Sequence, residues 1–334
     1  MRYSNRLFLY APFVILLFIA ALAMLRWHEL ARHWETRLLA ANGGSEIAPG
    51  VTLHFASETI GGFPFNLDIV LNKFVVAVRS TRGPISFASE RFAIHALTYG
   101  RAQQVMEAAG LQTLDWTDTN GEKHSFSFVP GSLRASAIEK GGRLTRFDLD
   151  LNAFGSSSLT GAGAQFHVRS APDRDALDIA IRAEDLHMKP AGAVLPHIEL
   201  DGRIAPAAPL AHLLAARDEW RSAVENWRAD NGALHIDRIA IDRDTSHVDG
   251  NGLLVLDENN RISGAMNLLL SDASRWKPMH AGADTFTSAL QELTNATPAP
   301  SPAPLSLSLD IHNGAAILRA AGRSHGAGTI DPMF

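Results

Sequence analysis

The stretch Leu305 to His312 reads LSLSLDIH. Leu305, Leu307, Leu309 and Ile311 alternate with Ser306, Ser308, Asp310 and His312, so an extended chain collects the aliphatic side chains on one face and the polar ones on the other. Strict alternation of this kind is the pattern of an antiparallel strand with one face packed and one face wet. It recurs upstream in Val51, Leu53 and Phe55; in Phe65, Leu67, Ile69 and Leu71; in Phe147, Leu149 and Leu151; in Leu177, Ile179 and Ile181; in Ile198 and Leu200; and in Leu234, Ile236, Ile239 and Ile241. Asn120-Gly121, Asp201-Gly202, Asn231-Gly232, Asp249-Gly250 and Asn313-Gly314 read as the turns between strands. The fold class expected is mainly β: an extended antiparallel curved sheet or half-barrel with a few covering helices, preceded by one N-terminal transmembrane helix.

That helix is read from Leu7 to Leu25 (LFLYAPFVILLFIAALAML), which carries no charge. At ~1.5 Å rise per residue such a run roughly matches the ~30 Å hydrocarbon core of a bilayer. Arg2 and Arg6 precede it and Arg26, Arg32 and Arg37 follow, so the Lys/Arg count alone leaves the orientation open. A short stub ahead of a long exported body is the pattern of a signal anchor, with residues 1–6 in the cytoplasm and the bulk of the chain in the periplasm. The alternative is a cleaved signal peptide, since Ala21-Leu22-Ala23 fits a small-x-small cleavage site; the apolar run is longer than the usual ~7–15 residues of such a peptide. The anchor also accounts for a mean hydropathy near zero in a chain whose body is mildly hydrophilic.

Composition excludes other classes. With 334 residues, 46% hydrophobic, 19% charged, a net charge of −5 and no cysteine, the chain is neither disordered nor a disulfide scaffold nor a thiolate zinc protein. It lacks the basic surface that nucleic-acid binding rests on.

The rest divides as follows. Residues 26–43 (Arg26 to Gly43) continue the anchor as a juxtamembrane helix, with Trp27, Leu30, Trp34, Leu38 and Ala41 forming one apolar stripe. Residues 50–295 form a β-rich body with two helical inserts, Pro209 to Arg228 and Asp272 to Asn295, and a shorter helix is expected over Ala102 to Ala109. Residues 296–304 are an extended proline-rich linker, and residues 305–334 a C-terminal strand pair.

Gly61-Gly62-Phe63-Pro64-Phe65, followed by alternating Leu67, Ile69 and Leu71, resembles the signature of the proteobacterial family called domain of unknown function 2125. Leu234 to Asp272 and the closing LSLDIHNGAAIL also resemble the strand, G-x-L-x-L-D, strand pattern of AsmA-like envelope proteins. The resemblance implies an anchored periplasmic β-rich protein and supplies no catalytic residues. AsmA-like proteins are associated with moving or sensing lipid between envelope membranes, an analogy of fold only.

Proline fixes its own φ and favours an extended residue before it, so Phe63 and Phe65 are held at a set spacing as a strand begins. They are either two core rings or a rigid aromatic edge to an apolar groove. Such a groove would be lined by Phe63, Phe65, Leu67, Ile69, Leu71, Leu305, Leu307 and Leu309, with Trp220 and Trp227 of the first insert covering an end or edge. Catalytic motifs fail on context. Gly322-Arg323-Ser324-His325-Gly326 matches a nucleophile elbow, but no acid and later histidine follow in the order that chemistry requires. Ser274-Arg275-Trp276-Lys277 lacks its K-T-G partner. The histidines show no H-x-H or H-x-x-x-H spacing, and Asp242, Asp244 and Asp249 read as turn carboxylates before they read as a cation site. No cofactor is implied. Three functions follow: handling of lipid or another apolar ligand; a structural or regulatory envelope protein with a closed core acting through protein partners; and, weakest, a periplasmic hydrolase using Ser324 or Asp242.

Overall fold

A computed structural model describes residues 5–79, 83–98, 102–118, 121–141, 143–189, 193–210, 219–243, 246–271, 289 and 304–330, with side chains from Phe13 onward. Helix α1 (Asn5–Asn42) joins the apolar segment to the juxtamembrane stripe without a break. Asn42-Gly43-Gly44 ends it, the Gly43 and Gly44 amides donating to Leu39 O and Ala41 O.

The body is one antiparallel sheet. Its strands are β1 (Val51–His54), β2 (Ser57–Gly61), β3 (Asn66–Val78), β4 (Ile85–Leu97), β5 (Ala102–Thr117), β6 (Lys123–Lys140), β7 (Arg143–Gly155) and β8 (Leu159–Ser170). They continue as β9 (Leu177–Met188), β10 (Ala193–Ala205), β11 (Ala233–Arg243), β12 (Ser246–Leu256), β13 (Ile262–Ser271), β14 (Leu305–His312), β15 (Ala315–Ala320) and β16 (Arg323–Thr329). From β3 onward every strand pairs with its successor in sequence; β1 and β2 both pair with β3. At ~4.8 Å per strand the path measures roughly 65–70 Å. The sheet is open, β1 and β16 forming its two ends.

Register aligns the alternating residues into a strip that runs from β3 to β14. Ile69 faces Ile94, which faces Met106, which faces Ala135, which faces Leu149, which faces Phe166, which faces Ile181, which faces Leu200, which faces Ile239. The strip continues through Gly250 and Leu268 to Leu307. The opposite face carries the charges. Arg182 grips Asp201 with two bonds of 2.9 Å and meets Glu199 at 2.8 Å, Arg203 meets Asp178 at 3.0 Å, and Arg134 meets Glu107 at 2.7 Å.

The strip would change faces partway along the longer strands if they were regular. Lys73, Gly110, Ala153 and Asp185 all have positive φ and lie on β3, β5, β7 and β9. They occupy one row, with Glu90 between Lys73 and Gly110 and Pro196 beside Asp185. Each added residue restores the apolar side chain to the strip: Phe74, three residues after Leu71, stacks on Phe92 at 4.3 Å, and Phe92 is the ladder partner of Leu71. Register shifts at Ser89/Arg91 and Ala108/Gln112 mark β-bulges on this row, and a β-bulge bends its strand and raises its twist.

Several expectations are corrected. Ala102 to Ala109 is the first half of strand β5 and not a helix; its helix-favouring composition yields to the pairing of Gln104, Met106 and Ala108 with Ala137, Ala135 and Leu133. Asp201-Gly202 and Asp249-Gly250 lie inside β10 and β12. A Cβ at Gly250 would come within 2.5 Å of the Leu268 side chain, so here glycine admits a bulky strip neighbour and makes no turn. The C-terminal unit is three strands and no separate hairpin, because β14 pairs with β13. Of the first insert, helix α2 (Trp220–Ala229) is described. The second insert lies outside the described residues except Ala289, which is helical and buried, and so does the linker except Pro304.

Candidate functional site

Covering elements divide the strip into three parts. At the N-terminal end α1 lies on it. Ala31, Leu38 and Ala41 of the helix form one cluster with Leu53, Phe55, Leu67, Ile69, Leu71 and Phe74, and Trp27 and Trp34 pack against that cluster. Leu67, Ile69 and Leu71 are thus core under the stalk, not the lining of an open groove; Leu71 is 0% exposed. The helix is pinned by polar contacts as well: Trp27 Nε1 donates to Asn66 O at 2.7 Å, and the Phe55 amide to Asn42 Oδ1 at 2.9 Å.

At the C-terminal end Met266, Leu268, Leu270, Leu307, Ile311, Ala316, Leu318 and Ala289 make a second cluster, with Leu305 and Leu309 packed against it. Of the three β14 leucines read as groove residues, Leu307 therefore sits in a filled core, with Leu305 and Leu309 half-buried against it.

Between the two lies a stretch that no described element caps. Phe147, Leu149, Leu151, Phe166, Val168, Ile179, Ile198 and Leu200 are each only half-buried, and Ile181 in their midst is 37% exposed. Neither cluster reaches β5 to β9. The first insert reaches back along the sheet: it leaves at Ala205 and returns at Ala233, yet Glu219 ahead of α2 meets Arg79 just beyond β3 at 3.4 Å. Ala223, Val224 and Trp227 of α2 are buried, while Trp220 is 44% exposed.

Phe63 and Phe65 are 54% and 58% exposed, so they are not core rings. They project from a loop fixed by its backbone. The Asn66 amide donates to Gly62 O at 2.9 Å, the Thr98 amide and hydroxyl both donate to Phe65 O, at 3.0 and 2.8 Å, and the Phe63 ring meets Trp27 edge-on at 5.6 Å. Gly62, at φ +90°, is required: a Cβ there would lie 2.7 Å from Asn66 O.

On the charged face the histidines pair with carboxylates. His95 meets Asp68 at 2.7 Å, His167 meets Asp148 at 2.8 Å, and His247 lies between Asp242 and Asp249, bonded to both. The bond to Asp242 is the largest influence on His247 and, with Asp249, raises its pKa against the opposing effect of burial. Burial pushes Asp148 up, but hydrogen bonds from Arg146, His167 and Ser136 and the Arg146 charge outweigh it and hold the carboxyl below its ordinary value. Asp242 and Asp249 are therefore partners of a histidine, and Asp244 lies outside the described residues. Ser324 is on β16 opposite Arg319. One cluster escaped the sequence reading: Asp118, Glu122 and His124 place ligand-type atoms close enough to share a metal ion. Asp118 and His124 already bond each other at 3.0 Å across the β5–β6 loop.

Residues 29–320 match a family described as uncharacterized protein conserved in bacteria, DUF2125. No curated protein matches the chain. The matched span begins within the covering helix and runs through the last residue of β15, so it takes in the strip and the covers at its N-terminal end and over β11 to β15, and the chain belongs to the DUF2125 family.

Proposed function

We propose that the protein is held in the inner membrane by the apolar half of α1, with its sheet in the periplasm, and that the middle of the strip, which no described element covers, takes up the acyl chains of lipid or a similarly apolar ligand. The supporting observation is the contrast in burial along one continuous strip: in the row from Leu149 through Phe166 and Ile181 to Leu200 every side chain is half-buried or exposed, whereas Ile69 at one end and Leu268 and Leu307 at the other are filled core; Phe154, Leu177 and Leu195, toward the strand ends, are buried. Contiguous apolar surface of this kind is characteristic of an interaction site. The membrane reading is supported by α1, the one helix among the described residues long and apolar enough to cross a bilayer, whose apolar window is unburied.

The test is direct. A photoreactive residue is placed at Ile181 and, for comparison, at Leu269 on the charged face, in the full chain expressed in a bacterial envelope. Irradiation is expected to attach lipid at Ile181 and not at Leu269. Equal labelling of both positions, or protein–protein adducts alone at Ile181, overturns the proposal; the second outcome favours a surface for envelope proteins.

A further inference from the structure

The loop Gly62 to Asn66 has a feature that lipid uptake along the strip does not use. Its polar backbone is tied down by Thr98, Gly62 and the Trp27 indole, while its two aromatic rings stand more than half exposed, joined by Leu97 at 48% on the adjoining end of β4. A rigid turn with outward aromatic tips is costly in water unless something apolar meets it. What lies beside it is the base of the anchor. Trp27, which touches Phe63, follows the last residue of the apolar run, Leu25, by two positions, or about 3 Å along a helix. Leu16 at 65% and Met24 at 43% exposed lie eleven and three residues before Trp27, on the same side of α1, so exposed apolar surface of the helix runs down toward the loop. Aromatic rings belong at the level where a spanning helix leaves the hydrocarbon.

We infer that Phe63 and Phe65 form a second membrane contact, inserting into the lipid interface beside α1 and fixing the attitude of the sheet to the bilayer. This rests on the membrane reading of α1. A lone helix would leave the body free to swing; a helix plus a rigid aromatic turn one ring away holds it at two points, with the strip beginning where the turn meets the lipid at β3.

The absence of cysteine from the chain makes the test clean. Single cysteines at Phe63, Phe65, Leu17 and Ile85 carry an environment-sensitive fluorophore, and the full chain is reconstituted into phosphatidylcholine–phosphatidylglycerol vesicles containing lipid spin-labelled near the headgroup or deep in the acyl chain. Ile85, 43% exposed, lies at the far end of β4, roughly 40 Å from Leu97 by strand rise. The label at 63 and 65 is expected to lose most of its emission to the headgroup-proximal quencher and less to the deep one, the label at Leu17 to the deep one, and the label at Ile85 to neither. Quenching at Leu17 without quenching at 63 and 65 overturns this inference and leaves the anchor standing. No quenching at Leu17 removes the anchor reading and this inference with it. Phe63→Ser combined with Phe65→Ser, labelled at Leu97→Cys, is expected to lose the shallow quenching at Leu97 while Leu17 keeps its own; unchanged quenching at Leu97 overturns the claim that the rings hold the turn at the interface.

Discussion

Leu71 and Ile181 occupy the same strip and obey the same alternation, yet one is fully buried beneath a helix and the other is 37% exposed in the middle of the sheet. A strand therefore specifies that a face is apolar without specifying what covers it. Under α1 the strip is core; where no described element lies on it, the same chemistry is half-buried or exposed. Substitution separates the two regions by magnitude. Leu71→Ala is expected to cost about 2–5 kcal/mol, the range for emptying a packed site. Ile181→Ala is expected to cost less, about 1–2 kcal/mol, because more than a third of its surface already faces water and its removal leaves no enclosed cavity. Urea unfolding of the two variants checks this, and equal losses would mean that the middle of the strip is as closed as its end.

Leu38 gives a smaller and sharper version of the same contrast. It is the stalk's own contribution to the N-terminal cluster, 6% exposed. Leu38→Ala is expected to cost roughly 2–3 kcal/mol and to raise binding of an apolar dye, since loosening the stalk turns core strip into open strip. Dye binding unchanged from the parent would show that the sheet stays covered without the stalk's packing. The row of positive-φ residues supplies a subtler test. Ala153 holds φ +47° on an exposed position. Ala153→Val is expected to destabilise by about 1 kcal/mol or more, and Ala153→Gly to be neutral or slightly stabilising, because only the β-branched residue resists a left-handed backbone. If both substitutions were equally neutral, the backbone at Ala153 would be free to relax.

The alternation of Leu305 to Ile311, Phe147 to Leu151 and Leu177 to Ile181 was legible because the β period is a property of local sequence. The covers were not, because burial at Leu71 depends on Ala31 and Leu38, far away in the chain, choosing that part of the sheet. The row of positive-φ residues was illegible for a different reason: Lys73, Ala153 and Asp185 carry no glycine to announce a positive φ, and only their place in the register goes with it. Ala102 to Ala109 misled because strong helix formers can be overruled by two flanking strands, and at Phe63-Pro64-Phe65 local sequence left core and surface equally open, where the rings point to the surface.

The face opposite the strip offers the smallest effect, and it has a definite sign. His247 titrates above its ordinary value of 6.5 because Asp242 and Asp249 both accept from it, and Asp249 titrates below its ordinary 3.8, burial being outweighed by His247 and Arg238. A raised histidine contributes stability that is fully present below pH 6.5 and is lost as pH rises through its folded-state value. A depressed carboxylate contributes stability that is present above 3.8 and is lost as pH falls through its folded-state value. The bridge between β11 and β12 is therefore strongest in the window between these limits. Its side chains are more than a third exposed, so solvent screens the pair and the gain is modest. The melting temperature of the parent is expected to exceed that of His247→Asn near pH 6, with the gap closing as pH is raised above the histidine range. A gap that stays constant with pH would mean that His247 contributes by packing and not by charge, and would remove ionisation from the account of how the wet face of the sheet is held together.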